Sequence, residues 1–372
     1  MRILLLSAYD AQSHQYWRQG IVAALPQYDW TQLTLPGRYF SWRIRGNAMQ
    51  WALGEREQLE QSYDLIVATS MVDLASLKGM VPKLAAIPTI LYFHENQFVY
   101  PPNQSDNKHN LDPQMVSLYG ALAADQLVFN SDYNRQTFLN GVADLLHKLP
   151  EKMPVDVAEL LREKSQVLAV PLVRSTLNEH ESDPWPVRTS KLTIRIVWAA
   201  RWEYDKGPAQ LLAILEELEH QNIDYQLCVL GQQFRNTPKE FEQIKKQFSR
   251  SIAHIGFVES RGAYTNWLSN GDQILSTALH EFQGLAVLEA VQLGCVPVLP
   301  DRLVYPELFG SEFLYSSNLK DIKAEAKSAV AVIIKQSKSN QEGALTSIDT
   351  KSLEWPVLAK QYQQILEKLS SS

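Results

Sequence analysis

Cysteine is scarce in this sequence, and long apolar runs are absent. Among 372 residues only Cys228 and Cys295 are cysteines, and each lies in an apolar segment typical of a buried strand. This excludes a disulfide framework and is typical of a reducing compartment. No run approaches the roughly 18 apolar residues of a membrane-spanning helix. The apolar run within residues 1–10 is too short for a signal peptide and predicts a first β-strand, so we expect a cytoplasmic protein without a membrane span.

Several nucleotide- and metal-binding motifs are also missing. The sequence has neither G-x-x-x-x-G-K-[ST] nor G-x-G-x-x-G, which argues against P-loop NTPases and Rossmann dehydrogenases. It has no D-x-D pair and no Cys/His cluster, so it predicts no metal site and no bound cofactor. The net charge of −6 gives no general electrostatic footprint for nucleic acid, although a local basic patch is compatible with it.

The pattern of apolar runs predicts two domains of one architecture. The composition, 45% hydrophobic and 20% charged, is that of a soluble globular protein, and the length suffices for two domains. Short apolar runs alternate with helical patterns such as 48–61 and 132–146 on both sides of a polar segment. This predicts an α/β fold of two doubly wound Rossmann-like domains that face a cleft. The predicted strands are 2–8, 64–70, 88–95, 126–131 and 166–172, then 192–200, 225–231, 252–258, 272–277 and 296–299.

The predicted domain bounds follow from that alternation. We expect an N-terminal domain over 1–174, a linker over 175–191 that is polar and holds two prolines, and a second domain over 192–354. The amphipathic segment that begins at Trp355 predicts a C-terminal helix within 355–372.

The segment 276–300 gathers polar groups where a predicted strand ends and a helix begins, and open α/β sheets bind ligands at such places. Gly284 lets a ligand approach the backbone, and the N–H groups that begin at Leu285 form a site for phosphate oxygens. Glu281 and Glu289 can accept hydrogen bonds from hydroxyls on either side of that phosphate. The segment therefore predicts a nucleotide-sugar site, and the alternative is two solvated carboxylates on a helix face.

Two cations follow the first predicted strand of the second domain. Arg201 and Lys206 precede Gly207-Pro208, where Pro suits a first helical turn. An Arg fork and a Lys point charge can neutralise a diphosphate leaving group. The alternative is a solvated turn in which Arg201 pairs with Glu203, or Lys206 with Asp205.

Polar residues also close strands of the first domain. His94 and the three residues after it end the apolar run 88–95, at an edge where ligands bind. The loop after the first strand holds Ser13 and His14. A structural histidine and a helix N-cap are the alternatives for His94 and Ser13.

The spacing Glu281-x7-Glu289, followed by the G-C-V-P-V string at 294–298, resembles the E-x7-E signature of retaining GT-B glycosyltransferases. The resemblance implies that Glu281 holds the donor sugar and Glu289 the ribose. It also implies a donor site with these members: His94, Arg201, Lys206, Gln283, Gly284, Leu285 and the backbone of Phe257 and Val258.

In one place the sequence departs from that family. Many relatives have a glycine pair in the loop after the first strand, whereas this chain has Ala11-Gln12. Backbone contact in this loop is therefore not expected to follow the family, and the side chains of Ser13 and His14 remain the acceptor-binding candidates there.

Four strings, YFHENQ (92–97), FNSDYN (129–134), STALHEF (276–282) and RLVYPE (302–307), resemble one subgroup, the tRNA-queuosine mannosyltransferases and their bacterial relatives. The resemblance spans roughly residues 1–310. It implies a hexosyltransferase that uses GDP-mannose as donor and a tRNA as acceptor, without a metal, and with acceptor contacts from Glu95, Asn96 and Gln97.

The segment 38–51 is independently suggestive of RNA. Arg38, Arg43 and Arg45 alternate with aromatic residues that include Trp42, and Arg with stacking aromatics can grip phosphates and unpaired bases. The alternative is an amphipathic helix whose aromatic residues fill the core.

Other functions stay open at this point. They are transfer to a small molecule or glycan, a GT-B-fold sugar-nucleotide epimerase, and a non-catalytic RNA-binding module. The sequence leaves the oligomeric state open.

Overall fold

The computed structural model describes residues 1–99, 111–174, 182–233, 237–341 and 348–371. The chain divides into two compact units. The first comprises Met1–Val173 together with Ser352–Ser372, and the second comprises Arg174–Lys351. Each unit has its own parallel sheet and its own apolar core.

The first unit is built on a six-stranded parallel sheet with the order β2-β1-β3-β4-β5-β6. The central strands are buried on both faces because helices cover both, which explains their continuous apolar sequences. The strands are β1 (Arg2–Asp10), β2 (Asp29–Pro36), β3 (Leu65–Thr69), β4 (Thr89–Phe93), β5 (Gln126–Phe129) and β6 (Ser165–Val167). The helices are α1 (Gln12–Ala24), α2 (Phe40–Gly54), α3 (Arg56–Leu59), α4 (Leu74–Met80), α5 (Asp112–Ala123), α6 (Asp132–His147) and α7 (Val157–Glu163).

The second unit has a six-stranded parallel sheet with the order β12-β11-β10-β7-β8-β9, so the strand order reverses between β7 and β10. The strands are β7 (Ile194–Ala199), β8 (Tyr225–Leu230), β9 (Ile252–Gly256), β10 (Gln273–Leu275), β11 (Val296–Pro300) and β12 (Leu314–Tyr315). The helices are α8 (Pro208–His220), α9 (Glu240–Gln247), α10 (Arg261–Ser269), α11 (Leu285–Gln292), α12 (Tyr305–Leu308) and α13 (Ile322–Gln341). Both sheets confirm the predicted doubly wound α/β architecture.

The last helix, α14 (Trp355–Ser370), belongs to the first unit. Its Tyr362 is buried, and the hydroxyl accepts a hydrogen bond from Trp17 Nε1 at 3.0 Å. The same hydroxyl lies 2.9 Å from the carbonyl of Ala169 and 3.1 Å from the hydroxyl of Tyr92. The helix therefore closes one face of the first sheet with apolar contacts and a buried polar network.

Three sequence-based expectations about elements are wrong in part. The helix predicted over 48–61 starts at Phe40 and ends at Gly54, so its first two turns were missed. The strand predicted over 166–172 is only Ser165–Val167. Strands β2 and β12 were not predicted, because both are edge strands and β2 is polar, with mostly exposed or half-buried residues.

The predicted linker needs a correction as well. Its first part, 175–181, lies outside the described residues. Residues 182–191 are packed on the second unit, because Trp185 is buried and donates from Nε1 to the carbonyl of Trp267. In addition, Arg188 forms a two-pronged ion pair with Asp272.

Across the described helices, none combines the length and apolar character that crossing a membrane requires.

Replacing Tyr362 by Phe should destabilise the protein by about 1–3 kcal/mol, because the buried N–H of Trp17 would lose its acceptor. Urea unfolding measures this loss. Tyr28→Phe is the matched control, since Tyr28 bonds Glu367 of the same helix at an exposed position. We expect the control to change stability by no more than about 0.5 kcal/mol. Equal losses of unfolding free energy in the two variants would show that the buried hydrogen bonds of Tyr362 stabilise the protein no more than the exposed one of Tyr28.

Candidate functional site

A small pocket lies at the carboxyl end of the second sheet, where the strand order reverses. It is lined by the ends of β7 and β10 and by the start of α11, including Ala200, Lys206, Ser276, Glu281 and Gly284. At such a reversal the connections leave in opposite directions, and the gap between them is where open α/β sheets bind ligands. The sequence-predicted residues Lys206, Glu281, Gly284 and the N-terminus of α11 are thus brought together.

Lys206 and Glu281 form the charged centre of this pocket. Nζ of Lys206 lies 3.4 Å from Oε2 of Glu281 and 3.3 Å from Oδ2 of Asp205, and it donates to the carbonyl of His280 at 2.8 Å. Burial alone would lower the pKa of Lys206, but the carboxylates of Glu281 and Asp205 outweigh it and raise that pKa. The lysine therefore stays a cation at neutral pH.

The turn after β10 fixes the carboxylate of Glu281. Its Oε1 accepts hydrogen bonds from the N–H groups of Phe282 and Gly284, both at 3.1 Å. Burial raises the pKa of this carboxyl, but Lys206 and the two backbone donors outweigh it and lower that pKa. Glu281 is thus an oriented anion, and its side chain is 27% exposed, so it remains accessible.

Gly284 is needed for its backbone conformation. It has φ +73° at the residue before α11, a conformation that L side chains rarely adopt, and a Cβ there would lie 3.2 Å from the ring of Tyr305. The first N–H groups of α11, from Leu285 on, have no carbonyl of their own helix to bond. They begin at the pocket, where a phosphate would find donors and a favourable helix dipole. Gln283 next to Gly284 is buried.

Glu289 is buried in α11 and held by two residues that the sequence patterns did not indicate. Arg261 binds both carboxylate oxygens, with N–O distances of 2.7 and 3.2 Å. Tyr264, one turn later in α10, also hydrogen-bonds Glu289, and burial together with this carboxylate raises the pKa of its hydroxyl. The sequence did offer one signal for them: Arg261 and Tyr264 are three positions apart and follow the predicted donor-binding loop at 257–258.

Arg201 lies at the exposed edge of this centre, close enough for its charge to act on Lys206 and His280. Its side chain is 49% exposed and pairs with Glu203 at 3.1 Å. Both ion pairs of the solvated-turn alternative, Arg201–Glu203 and Lys206–Asp205, are therefore present. Lys206 differs from that alternative because it is largely buried and also contacts Glu281.

His280 and Asp205 complete the centre, and neither was predicted from the sequence. Asp205 is fully buried, and its backbone carbonyl accepts from the N–H groups of Leu279 and His280. Burial, reinforced by the charge of Lys206, lowers the pKa of His280 to about 4. The sequence could have indicated both, because each directly precedes a predicted site residue in the chain.

In the first unit, His94 and His14 form a buried pair of rings. The ring centroids are 4.2 Å apart, and Trp17 and Tyr92 pack on His94. Burial and the neighbouring His14 hold the pKa of His94 well below its ordinary value, so it is neutral. Nε2 of His94 has no hydrogen-bond partner within the described ranges. Ser13 is exposed on α1, and Ala11 occupies the N-cap, so the capping alternative for Ser13 is wrong.

The residues after His94 divide into two kinds. Asn96 is buried, and its amide nitrogen bonds Asn134 and Thr137, while its carbonyl oxygen accepts from the N–H of Phe98. The acceptor role predicted for Asn96 is therefore wrong, because its hydrogen-bonding groups are used inside the fold. Glu95 and Gln97 are half-buried, so the structure leaves their side chains accessible.

The segment 38–51 also contains both buried and exposed candidates. Arg43 and Trp51 are buried in the helix α2, and Arg43 bonds Gln50, so Arg43 is not available to RNA as predicted. Arg38, Trp42 and Arg45 are exposed, and Arg45 pairs with Asp73 at 2.9 Å.

In the loop after β9, Phe257 is exposed and Val258 is half-buried. Among the described residues, no three His, Cys, Asp or Glu side chains gather in a way that could hold a metal ion.

The same architecture occurs in solved structures. Sucrose-phosphate synthase from Thermosynechococcus elongatus superposes with a TM-score of 0.70 at 12% identity, and the match covers 100% of this chain and 99% of that one. A UDP-forming trehalose-phosphate synthase from Burkholderia xenovorans gives a TM-score of 0.68 at 11% identity, with the same coverage. A family model described as glycosyl transferases group 1 matches residues 181–343. Two parallel sheets with this match define the chain as a glycosyltransferase of the GT-B fold.

Two sequence matches identify the family within these glycosyltransferases. A family model described as tRNA-queuosine alpha-mannosyltransferase N-terminal matches residues 2–172. The tRNA-queuosine alpha-mannosyltransferase of Drosophila melanogaster is 31% identical over 330 residues, which span 85% of this chain and 84% of the relative. The chain belongs to the tRNA-queuosine alpha-mannosyltransferase family.

The free energy of unfolding should fall as the pH drops from about 6.5 to about 4. In this window an unfolded histidine gains a proton, whereas His280 in the fold remains neutral until about pH 4. The unfolded state then binds more protons, and each pH unit removes up to about 1.4 kcal/mol per such group. Urea titrations across this window should show a shallower slope for His280→Asn.

His220→Asn is the control, because the side chain of His220 is 79% exposed. Its slope should match that of the wild type. An unchanged slope in His280→Asn would contradict the depressed pKa.

Proposed function

We propose that this glycosyltransferase moves mannose, with retention of configuration, from GDP-mannose to queuosine in tRNA. One observation carries the proposal: Lys206, Glu281 and the first turn of α11 lie together where the strand order of the second sheet reverses. Membership of the tRNA-queuosine alpha-mannosyltransferase family supports the sugar and the acceptor.

The leaving group is stabilised by the cation and the helix. The bond between the mannose C1 and the diphosphate oxygen breaks, a bond from C1 to a queuosine hydroxyl oxygen forms, and the hydroxyl proton passes to the departing diphosphate. Lys206 and the N–H groups of α11 stabilise the negative charge that develops. Arg201, whose side chain is half exposed, is the second cation for the diphosphate.

The two glutamates orient the donor. Glu281 has one oxygen held by backbone N–H groups, so its other acceptor positions can bind sugar hydroxyls in a fixed direction. A carboxylate has about four acceptor positions. Arg261 and Tyr264 use only some of those on Glu289, which leaves room for a ribose hydroxyl. His94 is the neutral donor or acceptor that contacts the mannose.

Transfer should depend on queuosine. The assay offers labelled GDP-mannose with matched tRNA pools that contain or lack queuosine, and label should enter only the first pool. Equal labelling of both pools would contradict the acceptor. Labelling of neither pool, with efficient transfer to a small sugar, would leave only the general transferase function.

Glu281→Gln should lower kcat about a hundredfold or more, because Gln keeps the shape but removes the charge that orients the donor and balances Lys206. Glu259→Gln, at an exposed position of the same unit, should transfer at the wild-type rate. Thermal unfolding of both variants checks that each is folded. Near-normal turnover of Glu281→Gln at saturating donor would reject its role.

Transfer should be independent of divalent metal ions. Two cations, Arg201 and Lys206, are available for the diphosphate, and the sequence has no D-x-D pair. Initial rates should stay nearly constant in excess EDTA. A complete loss that magnesium or manganese restores would refute metal independence.

A further inference from the structure

The start of α2 and the two residues before it carry exposed aromatic and cationic side chains. Tyr39 is 71% exposed and Trp42 is 56% exposed, and Arg38 and Arg45 lie exposed beside them in the chain. We call Arg38, Tyr39, Trp42 and Arg45 the α2 platform. Burying aromatic residues is the ordinary way to gain stability, so exposed ones at this density need another explanation.

The indole of Trp42 packs against its own helix at Gly46. It lies over Gly46, one turn later, so closely that a Cβ on Gly46 would meet indole atoms at 2.6 and 2.8 Å. A glycine inside a helix is unfavourable for stability. Here it leaves room for the indole beside the helix, while much of the residue stays exposed. The indole is therefore held in place at the surface.

Tyr39 has an unfavourable backbone conformation. Its φ of 56° and ψ of 53° lie in the left-handed region, which is costly for a bulky residue, and it occupies the N-cap of α2. Its carbonyl accepts the first hydrogen bonds of the helix, from the N–H groups of Trp42 and Arg43. Since its side chain is mostly exposed, core packing does not account for an aromatic residue at this strained position.

The charge of this region is of one sign. Residues 31–54 hold three arginines and no acidic residue, in a chain whose net charge is −6. The guanidinium of Arg38 lies 5.6 Å from the ring of Tyr39 and has no carboxylate partner among the described residues. Arg45 pairs with the buried Asp73 through one nitrogen only, and its side chain is 52% exposed. This charge is complementary to a polyanion.

We propose that the α2 platform binds unpaired nucleotides of the acceptor RNA, with bases stacked on Trp42 and Tyr39 and phosphates bound by Arg38 and Arg45. Flat aromatic surfaces flanked by cations recognise single-stranded nucleic acid in this way, and duplexes offer them no exposed base face. This inference deepens the proposed function and rests on it for the identity of the RNA. It excludes Arg43 and Trp51, which are core residues.

The test measures the Kd of the full chain for two RNAs, a tRNA-derived stem-loop with an unpaired loop and the same sequence closed into a full duplex. The stem-loop should bind more tightly, and Trp42→Ala should weaken its binding about tenfold while leaving duplex binding nearly unchanged. Gly46→Ala should weaken stem-loop binding as well, because the added methyl group displaces the indole. Replacing Arg38 and Arg45 should lower the slope of log Kd against log salt by about 0.7 for each phosphate that the protein no longer neutralises.

Leu53→Ala is the matched control. Leu53 is 79% exposed on the same helix, eleven residues from Trp42, so it tests exposure without the platform. Its Kd should equal that of the wild type. Equal weakening in Leu53→Ala and Trp42→Ala, or no preference for the stem-loop, overturns the proposal. A change of oligomeric state in Trp42→Ala with unchanged RNA binding assigns the surface to a protein partner and also overturns it.

Tyr39→Asn separates binding from stability. Asn tolerates the left-handed conformation better than Tyr, so this variant should be at least as stable as the wild type in urea. Its Kd for the stem-loop should nevertheless rise several-fold, because the stacking ring is gone. A purely structural role of Tyr39 predicts wild-type binding, and that result contradicts the platform.

The failure of this inference is distinguishable from failure of the proposed function. Binding is measured without donor, so platform-dependent binding together with no transfer to queuosine contradicts the proposed function alone. Normal transfer to queuosine-containing tRNA with a wild-type KM in Trp42→Ala contradicts the platform alone.

Discussion

The reversal of strand order between β7 and β10 is the constraint on which the candidate donor site depends. Because the chain leaves these neighbouring strands in opposite directions, a gap forms between their connections. Lys206 follows one strand and Glu281 follows the other, so residues 75 positions apart in sequence become partners. Gly284 then turns the chain so that α11 begins at the same gap. The chemistry of the pocket is thus a consequence of sheet topology before it is a consequence of any single side chain.

The pocket also illustrates how a buried site keeps its charges. Removing Lys206, Asp205 and Glu281 from water is costly, and each is tolerated because the others are within ion-pair distance or because backbone N–H groups supply compensation. His280, in contrast, avoids the cost of a buried charge because it is neutral at neutral pH. A diphosphate that enters such a site would meet a cation already formed and oriented, so little reorganisation is left for the moment of reaction.

The sequence predicted most of the parallel strands and indicated Glu281 and Glu289 as site candidates, because both have local signals. Continuous apolar runs mark buried strands, and Glu281 and Glu289 stand at a fixed spacing beside Gly284. Contacts between distant segments had no such signal. The bidentate grip of Arg261 on Glu289 depends on α10 packing beside α11, which no periodicity reveals.

The same limit explains the errors in the first unit. Asn96 lies among polar neighbours in the sequence, yet the fold turns it inward to Asn134 and Thr137. Arg43 and Arg45 are two positions apart on a helix, so they face different directions, and only one of them remains exposed. A pattern of residue types therefore indicated a candidate segment, and the helix geometry determines which of its side chains are accessible.

The placement of α14 has a consequence for the order in which the chain folds during synthesis. The first unit is made of two stretches of sequence, and the second unit lies between them. Trp17 can therefore form its hydrogen bond with Tyr362 only after the second unit has been synthesised. The second unit, continuous in sequence, can complete its core earlier. Until Tyr362 is in place, nascent chains of this protein should expose the part of the first unit that α14 covers, which makes that apolar patch a natural binding site for chaperones.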